Sequence, residues 1–228
     1  MRNIKVIGLG GIGSYLVEPL TRYLTYNIAQ SELKLTLIDG DTYEYKNRER
    51  QRFKRLGNKA EVTAESLIEQ FPEIFIRYRN DFVTKDNSIT LIREDDVVFL
   101  CVDNHATRKL VSDRCQELDN VTLISGGNNY IDGNVIYYNR INGINKTKPL
   151  TELYDSIANP KDVIPGNSQK TEGCETEVVE DPQLLITNMG AAFHMLCIFY
   201  AHEKNQMNFE QVYFDISTHR SRPAPERY

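Results

Sequence analysis

Apolar, β-branched runs alternate with helical patterns through the first half of the chain. Asn3-Ile4-Lys5-Val6-Ile7 marks a strand over 3–8, and the spacing of apolar positions from Ser14-Tyr15-Leu16-Val17 to Leu24 predicts a helix over 13–27. The same reading gives a strand over 33–39, a helix over about 58–70, a strand over 74–79, a helix over 86–92, a strand over 96–102, a helix over 104–117 and a strand over 121–125. Val97-Val98-Phe99-Leu100-Cys101-Val102 carries no polar residue, which suits a central strand covered on both faces. This order predicts an α/β, Rossmann-like fold, a mostly parallel sheet with helices on both faces.

After residue 125 the pattern changes. Gly126-Gly127-Asn128-Asn129 reads as a turn, and Gly133-Asn134-Val135-Ile136-Tyr137-Tyr138 as an added antiparallel strand. From 141 to 181 apolar periodicity fades, and a long, partly mobile excursion is expected there. Asp181-Pro182 precedes an apolar helix over Gln183 to Ala201, and Val212-Tyr213-Phe214-Asp215-Ile216 is expected to close the sheet as its last strand. The tail from His219 to Tyr228 is basic, contains proline and is expected to be exposed.

With 228 residues the chain can build one substantial domain, and 1–228 is read as a single unit. A net charge of −5 argues against binding to a nucleic-acid backbone, which needs a basic footprint. No signal-like segment precedes the first strand and no run of about 18 apolar residues occurs, so a cytoplasmic protein without membrane association is expected. The four cysteines, 101, 115, 174 and 197, include no C-x-x-C pair, so neither a zinc knuckle nor a disulfide framework is expected. Cys101, Cys115 and Cys197 read as core residues.

The chemistry begins where the first strand runs into Gly8-Leu9-Gly10-Gly11-Ile12-Gly13 and then into a helix. Gly8 permits the tight turn, Gly10 lets a phosphate approach the backbone, and Gly13 lets the helix pack close to the strand. Free N–H groups at the start of that helix would face the anion. The second strand ends in Asp39, where a carboxylate can accept hydrogen bonds from a ribose. The bland alternative is a set of glycines needed only for a crowded strand–helix corner.

From Asp39 the chain reads Asp-Gly-Asp-Thr-Tyr-Glu-Tyr-Lys-Asn-Arg-Glu-Arg-Gln to Gln51, then Leu56-Gly57-Asn58-Lys59-Ala60. This resembles the activating-enzyme family that includes ThiF, MoeB and the adenylation domains of ubiquitin E1 enzymes. Those proteins carry D-x-D-x-V-x-x-S-N-L-N-R-Q and then G-x-x-K-A. Asp39, Asp41, Asn47, Arg50 and Gln51 fall on that register without a gap. The likeness continues through Asp95-Asp96-Val97-Val98-Phe99-Leu100-Cys101-Val102-Asp103-Asn104 to Arg108.

The resemblance implies an adenylyltransferase that uses ATP and Mg²⁺ to activate the C-terminal carboxylate of a ubiquitin-like or sulfur-carrier protein with a Gly-Gly-type end. It assigns Arg50 and Lys59 to the phosphates, Asp103 to Mg²⁺, Asp39 to the ribose, and Asn47, Gln51 and, less directly, Asp41 to the nucleotide pocket. Positive groups there would offset charge on the phosphates and on leaving pyrophosphate. A basic helix face is the ordinary reading of Arg48 to Arg55, and an N-cap is the ordinary reading of Asp103.

Cys174, in Glu172-Gly173-Cys174-Glu175, occupies the position of the family's crossover segment, where a cysteine in many members accepts the activated carboxylate. Its acidic neighbours oppose thiolate formation. The family's paired C-x-x-C zinc ligands are missing; bacterial members also have an N-terminal helix that brings an arginine to the partner's site, whereas here the first strand is expected from residue 3, so either another arginine such as Arg48 substitutes for it or the dimer architecture differs. The chain is similar to the short, zinc-free bacterial members, for which a homodimer, and an E2-like or sulfurtransferase partner, are implied. Two other readings stand: an NAD-dependent oxidoreductase, which the glycine turn and Asp39 serve equally well, and a non-catalytic nucleotide-binding partner subunit.

Overall fold

The computed structural model describes residues 2–28, 33–166 and 184–224; Cys174 lies outside them. β1 (Arg2–Ile7), β2 (Leu33–Ile38), β5 (Phe75–Arg79), β6 (Asp96–Leu100) and β7 (Val121–Asn128) run parallel to one another in the order β5-β2-β1-β6-β7. β8 (Asp132–Ile141), β10 (Gln211–Asp215) and β11 (Arg220–Pro223) extend that sheet as antiparallel neighbours beyond β7. β3 (Thr42–Tyr43) and β4 (Gly57–Asn58) form a separate small pair, and β9 (Ile144–Asn145) folds back on β8.

Alternating side chains of the strands feed two cores. Ile4, Val6, Leu35, Leu37, Val97 and Phe99 meet α1 (Gly11–Asn27), α2 (Lys59–Gln70) and α7 (Leu185–Glu203) on one face. Ile7, Ile38, Val98, Leu100 and Leu123 meet α4 (His105–Gln116) and the region of α3 (Lys85–Leu91) on the other. All five residues of β6 are buried, Asp96 with Lys5 Nζ 3.8 Å from its Oδ2 and Val97 to Leu100 as their apolar run predicts. Each such large side chain contributes about 1.5–3 kcal/mol of burial. Although α7 is long and apolar, Ala191, Ala192, Met195, Ile198 and Phe199 pack it into the first core.

Several expectations need correction. Gly126, Gly127 and Asn128 are not a turn but the last residues of β7, paired with Val135, Asn134 and Gly133. A side chain at Gly126 would meet Met195 Sδ at 2.5 Å, so this glycine answers helix packing rather than chain reversal. Of the excursion expected over 141–181, residues 167–181 lie outside the described residues; residues 141–166 carry β9 and two four-residue helices, α5 (Leu150–Leu153) and α6 (Asp155–Ala158), anchored by buried Leu150 and Ile157, and elements so short leave no periodicity to read. The strand at 211–215 is not the sheet's last, because Arg220–Pro223, expected as tail, pairs with it. Cys197 is exposed on α7 rather than in the core, whereas Cys101 and Cys115 are buried as expected.

Candidate active site

Strand order reverses between β1 and β6, and their C-terminal ends open into a cleft of about 2110 Å³. Such a switch point is where open α/β sheets place ligands. Gly8, Gly10, Gly11, Asp39, Asp41, Asn47, Arg50, Gln51, Lys59, Asp103 and Arg108 all line it.

The glycine turn divides into structural and open positions. Gly8 has φ +88°, and a Cβ there would press on the Cys101 carbonyl carbon at 2.9 Å. A Cβ on Gly13 would sit 2.0 Å from Gly8 O, so only glycine lets α1 start this close to β1. Gly10 is different: the nearest atom to its Cβ position is Gln51 Nε2 at 3.8 Å. Nothing in the packing requires glycine there, whereas a ligand approaching the backbone would.

The start of α1 is equally suited to an anion. Gly10 offers no side-chain cap, and the first intrahelical bond is Ser14 N–H to Gly10 O, which leaves the earlier N–H groups without intrahelical acceptors. By contrast, Asn58 caps α2 through Glu61 N–H, and Asn104 caps α4 through Thr107 N–H at 2.8 Å. That second cap settles the alternative use of Asp103. The capping residue is Asn104, and Asp103 faces the cleft beside the Arg108 guanidinium.

Asp39 is buried, and both its oxygens are engaged: Oδ2 accepts from Leu9 N–H at 2.6 Å and Oδ1 from Asp41 N–H at 2.8 Å. Burial pushes its carboxyl above the ordinary range, against the pull of Lys59 and of those two N–H groups. Lys59 opens α2, is buried, and directs Nζ to Asp41 Oδ2 at 3.2 Å. Asp41 is thus the ion partner of Lys59.

A 3₁₀ turn, Tyr45–Glu49, carries the next group. Its buried Asn47 accepts from Glu44 N–H through Oδ1 at 2.8 Å, and Gln51 N–H returns to Asn47 O at 2.8 Å. Arg50 sits at the end of this turn with its side chain on the cleft, so the basic run is not a helix face. Gln51 is buried, and its Oε1 finds no partner among the described residues, an acceptor ready for a ligand hydroxyl or amine.

Apart from Arg108, which lies on the last motif of the resemblance, the remaining site residues carry no local sequence signal. Asp162 reaches across from the segment after α6 and accepts from His105 N–H at 2.7 Å and Ala106 N–H at 2.8 Å, closing the start of α4. Arg108 is buried and donates to Ser125 Oγ, Val102 O and Gly126 O, and burial lowers its pKa against the pull of Asp103. Phe82 stands over Gly40 and Gly166 and forms part of the cleft wall. At the far end, Asn134 donates to Tyr154 Oη at 2.9 Å, and Tyr154 donates to Gln211 Oε1 at 2.7 Å. Burial raises Cys101 to about 12, so it is no nucleophile.

Among the described residues no three His, Cys, Asp or Glu side chains converge as a metal centre. A lone carboxylate beside a phosphate-sized opening fits Mg²⁺, which takes most of its oxygens from phosphates and water. The open Gly10, the uncapped α1, the unpartnered Gln51 Oε1 and the nearby Lys59 together fit a nucleoside triphosphate.

Comparison with known proteins gives the family and the fold. The model of the ThiF family matches residues 2–227. "Adenylyltransferase and sulfurtransferase MOCS3" of Drosophila yakuba is 36% identical over 145 residues, covering 62% of this chain and 30% of that protein. The chain therefore spans about a third of the length of the curated relatives it matches. Among solved structures, PaaA superposes with a TM-score of 0.70 at 15% identity, over 98% of this chain and 64% of the other. The microcin C7 biosynthetic enzyme MccB, in complex with N-formylated MccA, gives 0.71 at 17% identity, over 97% and 64%. Escherichia coli MccB with ATP gives 0.68 at 16%, over 97% and 63%. At these identities the likeness establishes the fold.

Proposed function

The chain belongs to the ThiF family, and from that premise we propose that it is an E1-like, ATP-dependent adenylyltransferase acting on a C-terminal carboxylate. The observation that carries this reading is the convergence, on one cleft, of an open glycine turn with Arg50, Lys59, Asp103 and Gln51. A dehydrogenase would use the glycine turn and Asp39 but has no need of Lys59 and Arg50 beside them.

The first α1 turn and Lys59 hold the phosphates of ATP, Gln51 and Asp39 hold its nucleoside end, and Arg50 neutralises charge that builds on the leaving group. A carboxylate oxygen of the acceptor attacks the α-phosphorus, the bond from that phosphorus to the bridging oxygen of pyrophosphate breaks, and an acyl-adenylate forms. Asp103 would hold Mg²⁺, whose charge lowers repulsion between the anionic partners.

The acceptor enters along the arm of the cleft lined by Asn134, Tyr154 and Tyr213. Its class is a ubiquitin-like or sulfur-carrier protein ending in Gly-Gly. The complex of MccB with N-formylated MccA makes an acceptor like MccA the second candidate. Cys174 then attacks the acyl carbonyl and releases AMP, giving a thioester. We further propose a cytoplasmic homodimer of single-domain subunits, with an E2-like or sulfurtransferase protein downstream. Incubation with ATP, Mg²⁺ and candidate acceptors tests the reading: an AMP-bearing acceptor by mass spectrometry supports it, and a thiol-sensitive adduct lost in Cys174→Ala assigns the later step. NAD binding with no adenylated product from any acceptor would overturn it.

A further inference from the structure

Asn188, on the first turn of α7, is fully buried, yet neither Oδ1 nor Nδ2 finds a hydrogen-bond partner among the described residues. Buried amides are nearly always paired, so this exception calls for a physical reason. The carboxamide lies directly against Gly11, the first residue of α1. A Cβ at Gly11 would meet Nδ2 at 2.5 Å and Oδ1 at 2.6 Å.

Two independent features therefore meet at one point. One is a helix start whose leading N–H groups have neither a side-chain cap nor an intrahelical acceptor. The other is an unpaired amide held against it from α7. The contact is built: Thr187 Oγ1 donates to Tyr130 O at 2.6 Å, and Asn188 N–H returns to Leu184 O at 3.1 Å, so α7 cannot easily turn the amide away. Leucine would fill the same space without burying an unpaired polar group. Packing alone does not account for asparagine.

We propose that Asn188 is a positioning residue for the phosphate turn. Its amide has no partner among the described residues. When phosphate draws the Gly10–Ile12 backbone toward the cleft, Asn188 Oδ1 accepts a hydrogen bond from an N–H of that first turn, and the turn is held in its ligand-bound arrangement. Part of the binding free energy thus comes from satisfying a group that the phosphate never touches. The inference rests on the reading of this turn as the ATP-phosphate site.

The test measures binding of ATP with Mg²⁺, binding of adenosine, and nucleotide-free thermal stability, for wild type and Asn188→Leu. The expected result is a roughly three- to tenfold weaker ATP affinity in Asn188→Leu, the range of one neutral hydrogen bond. Nucleotide-free stability should be unchanged or higher, and adenosine affinity unchanged, because adenosine lacks the phosphates. Asn188→Ser, which keeps a small polar group, should fall between the two and serves if the leucine variant does not fold. Equal ATP affinity in wild type and variants would overturn the proposal, and so would equal weakening toward ATP and adenosine. Wild-type protein that does not bind ATP would instead overturn the nucleotide reading itself.

Discussion

Leu9 N–H donates to Asp39 Oδ2 at 2.6 Å, which joins the glycine turn after β1 to the end of β2. With Asp41 N–H on the other oxygen, one carboxylate organises two loops of the cleft. Asparagine cannot accept both bonds, since one of its two positions is a donor facing an N–H. Asp39→Asn should therefore lower stability by about 1–3 kcal/mol, the penalty for stranding a buried donor. Denaturant unfolding at neutral pH measures this.

The same residue gives a pH dependence of defined sign. Burial raises the folded-state pKa of Asp39 above its unfolded value. The folded protein therefore binds this proton more tightly than the unfolded chain. The associated stability is fully present below the unfolded value of about 4 and is lost as pH rises through the folded value. The margin of wild type over Asp39→Asn should thus shrink as pH rises from about 4 toward neutrality. A margin that grows over that range would show Lys59 overriding burial.

Gly10 and Gly13 should separate function from packing. Gly13→Ala brings a Cβ to 2.0 Å from Gly8 O, and the fold should be severely destabilised. Gly10→Ala meets nothing closer than 3.8 Å, so its thermal midpoint should stay close to wild type while ATP affinity falls at least about tenfold. Equal ATP affinity in Gly10→Ala would remove the phosphate from this turn.

Lys59→Met keeps the buried stem and removes the charge. Its partner Asp41 is half exposed, so stability should change by no more than about 0.5 kcal/mol. Adenylation should fall roughly 10²- to 10³-fold, the scale of losing one preorganised charge-stabilising group. Circular dichroism melts and acyl-adenylate formation, measured on the same preparations, check both halves.

Asp162→Ala removes the carboxylate that closes α4 at His105 and Ala106. Loss of such a cap costs about 1 kcal/mol, which for a chain of this size lowers the melting temperature by roughly 2–4 °C. Nothing in the sequence around Lys161-Asp162-Val163 announces this role, because the partners are 56 and 57 residues away.

That distance marks the boundary of what the sequence makes legible. Gly8, Gly13 and Asp39 are readable because strand, turn and helix follow one another locally and their chemistry is set by position within that unit, whereas Lys59 is legible only through the family resemblance. Gly126 and Gly127 are misread because what they pack against, Met195 and Arg108, comes from elsewhere in the chain, whereas Arg220 to Pro223 is misread because a basic, proline-bearing stretch shows no strand pattern although its partner β10 directly precedes it. Cys197 is misread for a related reason: α7 is apolar nearly all round, so its pattern does not say which face the core takes. Asn188 gives no signal until Gly11 is seen against it.

The central claim is most directly tested by ATP–pyrophosphate exchange with Mg²⁺ and ubiquitin-fold acceptors ending in Gly-Gly, with Arg50→Ala and Cys174→Ala alongside. Acceptor-dependent exchange that is lost in Arg50→Ala and retained in Cys174→Ala is the predicted result. Exchange unaffected by Arg50→Ala, or no exchange with any acceptor by a protein that binds NAD tightly, would contradict the account.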